Sequence, residues 1–162
     1  MLTIAREGTA AVAEADALIH EAADWLIRRG EPLWGPEETS YEELVRVARD
    51  GELVIGRVGA EVAACMYLHN EDRLFWPQTA LGEAYYLHRL AVARKFAGLG
   101  FARAMLDWAE EETRRKNRIF LRLDCEPRPK LLVLYREAGF TRIDPGTIQV
   151  GRHFVVRHEK RV

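Results

Sequence analysis

Apolar positions first recur at helical spacing between residues 9 and 29. Val12, Ala15, Ile19, Ala22 and Leu26 fall on one face there, and Gly30 and Pro32 stop the run. A loop containing Trp34 follows. Ser40-Tyr41-Glu42-Glu43 has the form of a capping box, a hydroxyl with a glutamate three residues on, and predicts a short helix to about residue 49. The period then changes. Residues 52–58 and 61–68 are rich in β-forming side chains and are separated by Gly59-Ala60, which predicts a hairpin. Residues 69–83 read as a polar loop containing Trp76-Pro77, and residues 84–92 are apolar and aromatic enough for a central strand. Gly98 and Gly100 precede a helix reaching to about residue 116. Residues 119–125 form the next strand, Pro127 and Pro129 open a turn, and residues 130–138 form a short helix closed by Gly139. Two further β runs, 140–143 and 147–157, complete the pattern.

The order α-α-β-β-β-α-β-α-β-β predicts an α/β protein with a mixed sheet and helices on both faces. The crossover from residue 84 to residue 125 predicts two parallel neighbouring strands with a right-handed connection. Without repeats, low-complexity tracts or a linker, residues 1–162 read as a single domain.

Composition narrows the class. With 48% hydrophobic and 30% charged residues the chain is neither disordered nor fibrous. Its longest apolar run, residues 62–68, is far short of the ~20 residues that span a bilayer. A basic segment followed by an apolar core is missing from the first residues, so a secretory leader is not expected. Cys65 and Cys125 lack C-x-x-C spacing and read as buried, reduced thiols of a cytoplasmic protein. The net charge of -1 conceals a split: residues 1–81 carry 7 Lys+Arg against 15 Asp+Glu, and residues 82–162 carry 17 against 10. Either the basic half meets an anion or the two halves attract each other. Nucleic acid is not indicated, because no basic cluster has aromatics set between its charges. His20, His69, His88, His153 and His158 show no ligand spacing, so no metal is expected. The single serine, Ser40, lies in a helix cap, which leaves little room for serine-nucleophile hydrolysis.

The stretch after residue 90 is the most informative. A strand ending in Leu90-Ala91-Val92 enters a turn with Gly98 and Gly100, and that turn opens a helix. Unpaired N–H groups and the helix dipole at such a place attract anions, and glycines let a phosphate approach the backbone. The first acid of the helix is Asp107, whereas Arg94, Lys95 and Arg103 flank the turn. A bound anion would complement that charge pattern. The dinucleotide fingerprint fails, since Arg103 stands at its third glycine, and there is no P-loop.

These residues resemble the GNAT superfamily of acetyl-CoA-dependent N-acetyltransferases. The likeness rests on Leu90-Ala91-Val92, on the glycine turn, and on Tyr135-Arg136-Glu137-Ala138-Gly139-Phe140. Two registers approximate the family signature Q/R-x-x-G-x-G/A: residues 95–100, with Lys95 first, and residues 97–102, with Ala97 first and a better match to the following helix. In the second, Lys95 or Arg94 would supply the missing charge. Where the family often has Asn, seven residues before the tyrosine, this chain has Arg128. The resemblance implies a central, mixed, mostly antiparallel sheet flanked by helices. It implies that acetyl-CoA is the co-substrate, its pyrophosphate on backbone N–H groups of Ala97, Gly98, Leu99, Gly100, Phe101, Ala102 and Arg103. The pantetheine arm would pair with Leu90, Ala91 and Val92, and an N–H near Leu90 would polarise the thioester carbonyl.

The catalytic candidates follow. A histidine has a pKa of ~6.5 in water, which suits proton removal from an amine, and strand alternation puts Tyr86, His88 and Leu90 on one face unless a bulge intervenes. His88-Arg89-Leu90-Ala91-Val92 also resembles the arylalkylamine N-acetyltransferases, in which a strand histidine at this offset is a proposed base. Glu83 is the weaker candidate. By resemblance, Tyr135 is the acid that protonates the leaving thiolate. Trp34, Trp76 and Tyr86 are candidates for the walls of the acceptor pocket, with core packing the alternative for each. The expected activity is acetyl transfer to a primary amine of a small molecule, a cationic one given the acidic first half. A non-catalytic acyl-CoA-binding module and a protein N-terminal acetyltransferase are the rivals. Neither a membrane nor a nucleic-acid partner is expected, and a homodimer is left open.

Overall fold

A computed structural model describes residues 1–162. Its internal contacts divide the chain into two compact units, residues 1–67 with 89–105, and residues 68–88 with 106–162. Each has its own core.

The first unit begins with a strand that the hydropathy pattern does not reveal, β1 (Leu2–Arg6). It alternates between half-buried and exposed side chains and pairs antiparallel with β2 (Leu53–Val58), from Leu2↔Val58 to Arg6↔Val54. Five residues with no fully buried side chain carry little local signal; the partner strand makes them β. Helix α1 (Val12–Arg28) buries Val12, Ala15 and Ile19 of the expected face together with Leu18 and Ala23, while Ala22 and Leu26 are half-buried. Helix α2 (Tyr41–Arg49) starts on the predicted cap, the Ser40 side chain accepting the Glu43 N–H. Glu42 and Glu43 in its first turn and Arg46 and Arg49 in its last complement the helix dipole.

Strand β3 (Glu61–His69) returns along β2 through the Gly59-Ala60 turn, with Val58↔Glu61 closing the hairpin and Gly59 at φ +60°. Leu44, Val47, Leu53, Ile55, Cys65 and Tyr67 join the α1 face in one core, with Trp34 packed against it. Ala93, just past strand β4 (Ala84–Val92), donates its N–H to the Ala63 carbonyl at 2.9 Å, so the end of β4 lies beside β3.

Gly56 sits in a tightly packed part of this unit. A Cβ there would lie 3.1 Å from Met105 Sδ and 3.2 Å from Leu2 Cδ1. Gly56→Val is expected to cost about 1–3 kcal/mol through overpacking, read as a lowered urea midpoint at unchanged slope.

In the second unit β4 pairs parallel with β5 (Phe120–Cys125), from Ala84↔Phe120 to Leu87↔Leu123. Helix α3 (Phe101–Arg115) supplies the predicted crossover. Helix α4 (Pro129–Glu137) starts with proline in its first turn, and Gly139 at φ +88° follows its C-cap. Of the last two β runs, the first is only β6 (Thr141–Arg142). The second divides, against expectation, into β7 (Ile148–Val150) and β8 (His153–Arg161). Gly151 at φ +58° makes the turn, and Val150↔His153 closes the hairpin. β8 then pairs antiparallel with β5 and β6. The eight strands are mixed and mostly antiparallel, the β4–β5 pair being the parallel one.

Several cations of this unit find their acids within it. Arg122 bridges Glu83 at 2.8 Å and Glu159 at 2.6 Å, and Arg157 grips Asp144 at 2.8 Å. Both free cysteines are buried, and burial pushes each thiol up to about 12, as expected of inert structural thiols. No helix is long and apolar enough to cross a membrane.

Candidate active site

The glycine turn is built as an amide-rich entrance to α3. A single 3-10 turn, Arg94–Phe96, follows β4. Within it Ala97 donates its N–H to the Arg94 carbonyl at 3.1 Å, and Leu99 donates to Phe96 at 3.4 Å. Two of the seven amides expected to meet a pyrophosphate are therefore turned inward to hold the turn. Gly98 and Gly100 adopt φ +81° and +78°, which glycine reaches at little cost. A Cβ at either would meet nothing within 4 Å. The first N–H bonded back into the helix is that of Ala104, to the Gly100 carbonyl at 3.1 Å. Gly100, Phe101 and Ala102 thus occupy positions whose amides have no carbonyl one turn back. The first turn contains no acid. Open space over two glycines and this amide set fit a phosphate-bearing ligand.

The flanking cations have partners. Lys95 pairs with Glu61, and both are about half exposed. Arg94 lies over the Trp25 ring at 3.7 Å, and its backbone N–H goes to Glu21. An exposed pair such as Lys95–Glu61 is worth little to stability.

The end of β4 departs from ideal strand geometry at one residue. Arg89 has φ +53°, a left-handed conformation costly for a side-chain-bearing residue, and its guanidinium donates to the Glu38 carbonyl at 2.7 Å. Alternation therefore holds as far as His88 and is interrupted at Arg89 before Leu90. Pairing of β4 with β5 stops at Leu87↔Leu123. Leu90, Ala91 and Val92 follow with no partner on β5.

His88 lies between two carboxylates. Its Nε2 is 2.9 Å from Asp72 Oδ2, and its Nδ1 is 3.9 Å from Asp124 Oδ1. The ring is largely buried, with the His69 ring 5.3 Å and the Phe75 ring 6.3 Å away between centroids. Asp72 is itself clamped: Oδ1 accepts the N–H groups of Leu74 at 3.2 Å and Phe75 at 3.0 Å. Burial works to raise the Asp72 carboxyl, but the His88 hydrogen bond and charge, with the Phe75 amide and His69, together outweigh it and hold the group below the usual range. Sequence reading missed both aspartates. Asp72 comes from a loop 16 residues before His88, and Asp124 from a different strand. Nothing local to either signals the histidine.

Tyr135 on α4 is buried, its ring against Phe140 and His158 at 5.9 Å each. Burial, followed by the proximity of Cys125 and Asp124, pushes its phenol well above the ordinary value. The proton-bearing form is thereby held throughout the neutral range. At the position where the family often has Asn, Arg128 precedes α4 and turns its guanidinium to Glu126 at 2.8 Å.

Other candidates move to structural positions. Glu83 is bound to Arg122. Trp76 and Tyr86 are only 4% and 2% exposed and sit in the core of the second unit with Phe75, Ala84 and Val155. The Tyr86 hydroxyl shares a hydrogen bond with Thr79 Oγ1 at 2.7 Å, and Arg122 and Arg157 flank the Trp76 ring. Both are packed as the core alternative expects. Trp34 is half-buried against the core of the first unit.

Comparison with known proteins agrees with this picture. Residues 16–140 match the acetyltransferase (GNAT) family. The chain is 31% identical over 130 residues to an uncharacterised N-acetyltransferase, YesJ, of Bacillus subtilis (strain 168), a match covering 76% of this chain and 72% of that one. Among solved structures, a GNAT-family acetyltransferase from Listeria monocytogenes superposes with a TM-score of 0.84 at 22% identity, covering 99% of this chain and 95% of the other. The PaiA N-acetyltransferase of Thermoplasma acidophilum, solved in complex with coenzyme A, gives 0.76 at 14% identity, covering 100% and 99%. With a left-handed residue in β4, an amide-rich glycine turn and a family match across most of its length, this chain belongs to the GNAT family of acetyltransferases.

Proposed function

We propose that this acetyltransferase transfers the acetyl group of acetyl-CoA to a primary amine of a small, cationic acceptor. The observation that carries the reading is the turn at Gly98 and Gly100, which opens an acid-free helix and leaves room for a phosphate over its amides. Gly98, Gly100, Phe101, Ala102 and Arg103 bind the pyrophosphate, and Leu90–Val92 lie alongside the pantetheine arm, as their lack of a β5 partner supports. The thioester supplies the carbonyl carbon that the amine attacks: a C–N bond forms and the C–S bond breaks.

Protein groups manage the protons. An amine that enters as ammonium gives up two in becoming an amide. His88 takes one, freeing the lone pair for attack, and passes it to solvent. The other is balanced at sulfur, where Tyr135 Oη donates a proton to the thiolate and is reprotonated in turn. Asp72 and Asp124 beside His88 favour an acceptor that arrives positively charged.

The deciding measurement is release of free CoA thiol while amines, polyamines, amino acids, aminoglycosides and peptides are screened. Release with small cationic amines is expected. Turnover confined to peptides would establish a protein acetyltransferase instead. Thermal stabilisation by acetyl-CoA without thiol release from any acceptor would establish a binding module. Acetyl-CoA at 100 times its Kd should raise stability by about 2.7 kcal/mol.

A further inference from the structure

We propose that Asp72 is a positioning residue that fixes the tautomer of His88, so that Nδ1, not Nε2, accepts the proton of the acceptor ammonium. The inference rests on the reading of His88 as the base and assigns the atom at which it acts.

An ionised carboxylate only accepts hydrogen bonds. Both oxygens of Asp72 are engaged, Oδ1 by the amides of Leu74 and Phe75 and Oδ2 by His88 at 2.9 Å. The 2.9 Å contact therefore needs a proton on Nε2. The opposite tautomer would aim the Nε2 lone pair at a carboxylate oxygen. A neutral imidazole has one N–H and one lone pair, so a proton held at Nε2 puts the basic pair on Nδ1. Asp72 itself is anchored three ways, since its carbonyl also accepts the Trp76 N–H at 3.0 Å. That clamp holds the ring against rotation as well as setting its proton.

The transfer balances at that atom. An N–H bond of the acceptor ammonium breaks and its electron pair stays on the amine nitrogen. The Nδ1 lone pair forms the new N–H, and the ring becomes imidazolium. Asp72 then holds the Nε2 proton, and Asp124 Oδ1, 3.9 Å from Nδ1, faces the new one. The groups around the ring are Asp72 from the loop before β4, Asp124 from β5, His69 from β3 and the uncharged Phe75. Two carboxylates stabilise the imidazolium; a protonated His69 would oppose it, as does Arg157, which interacts with Asp124 and donates to the Phe75 carbonyl at 3.2 Å.

Long-range 15N–1H correlation spectra of the 15N-labelled enzyme, assigned by His88→Ala, read the tautomer directly. The wild-type neutral ring is expected to carry its proton on Nε2. In Asp72→Asn the His88 pKa should fall by about 1–3 pH units, as for loss of an adjacent opposite charge. The acid limb of kcat/KM should move down in pH with it while the plateau falls about tenfold and the KM for acetyl-CoA holds. A purely structural role would lower the plateau without moving the limb. A wild-type Nδ1–H tautomer, or an unmoved limb and pKa in Asp72→Asn, overturns the proposal. If that variant fails to fold, the wild-type spectrum alone decides. The base reading fails separately: a wild-type pH profile for His88→Ala overturns it whichever tautomer is seen, and an Nδ1–H tautomer with His88→Ala inactive overturns the Asp72 assignment alone.

Discussion

His88→Ala is expected to lower kcat/KM for amine acetylation by roughly 10²–10⁴ near neutral pH, the range of a positioned general base. The reason is the state of the acceptor. An alkyl ammonium has no lone pair for attack, and near pH 7 few such amines are neutral without help. As pH rises toward the acceptor's own pKa, solvent removes the proton, so the deficit of the variant should shrink steadily. Binding of acetyl-CoA, measured by calorimetry, should change little, because the proposed phosphate contacts are backbone amides of the turn after β4. A uniform loss at every pH would show that His88 supports the fold or the acceptor and does not move a proton.

The second large effect is expected from Tyr135→Phe, with kcat lowered roughly 100-fold at nearly unchanged acetyl-CoA affinity. Phenylalanine keeps the ring that packs between Phe140 and His158, so the substitution removes the hydroxyl and little else. Burial holds the phenol above its ordinary value of ~10. The wild-type kcat should therefore show no alkaline fall from this group below pH 10. An alkaline limb below that value, absent from the phenylalanine variant, would mean that the free-chain environment does not describe Tyr135 during turnover. Full activity of the variant would remove it from the mechanism.

The two residues differ in how they could be found. Tyr135 was legible as a candidate because the stretch ending in Gly139-Phe140, which carries the family resemblance, is contiguous, a short helix and its glycine stop. His88 was legible as a residue type at a strand offset, but its surroundings were not. The same limit explains Trp76. An aromatic followed by proline in a polar loop resembles a pocket wall, and only the chain around it, with Arg122 and Arg157 against the ring, makes it core.

By itself the sequence determined everything that a dozen neighbouring residues can express. Helices α1 and α2 came from apolar period and a serine cap, the β2–β3 hairpin from Gly59-Ala60, the β4–α3–β5 crossover from its alternation of periods, and the glycine turn into an acid-free helix from Gly98 and Gly100. Tertiary structure alone decided what depends on partners far along the chain. It made β1 a strand through β2, cut the last β run into β7 and β8 at Gly151, and turned two of the seven expected amides into the glycine turn. It also set Arg89 in its left-handed conformation and brought Asp72 and Asp124 to either side of His88. Local propensity records the conformations a segment can adopt, whereas strand pairing and ion placement are settled by groups the segment meets only after folding.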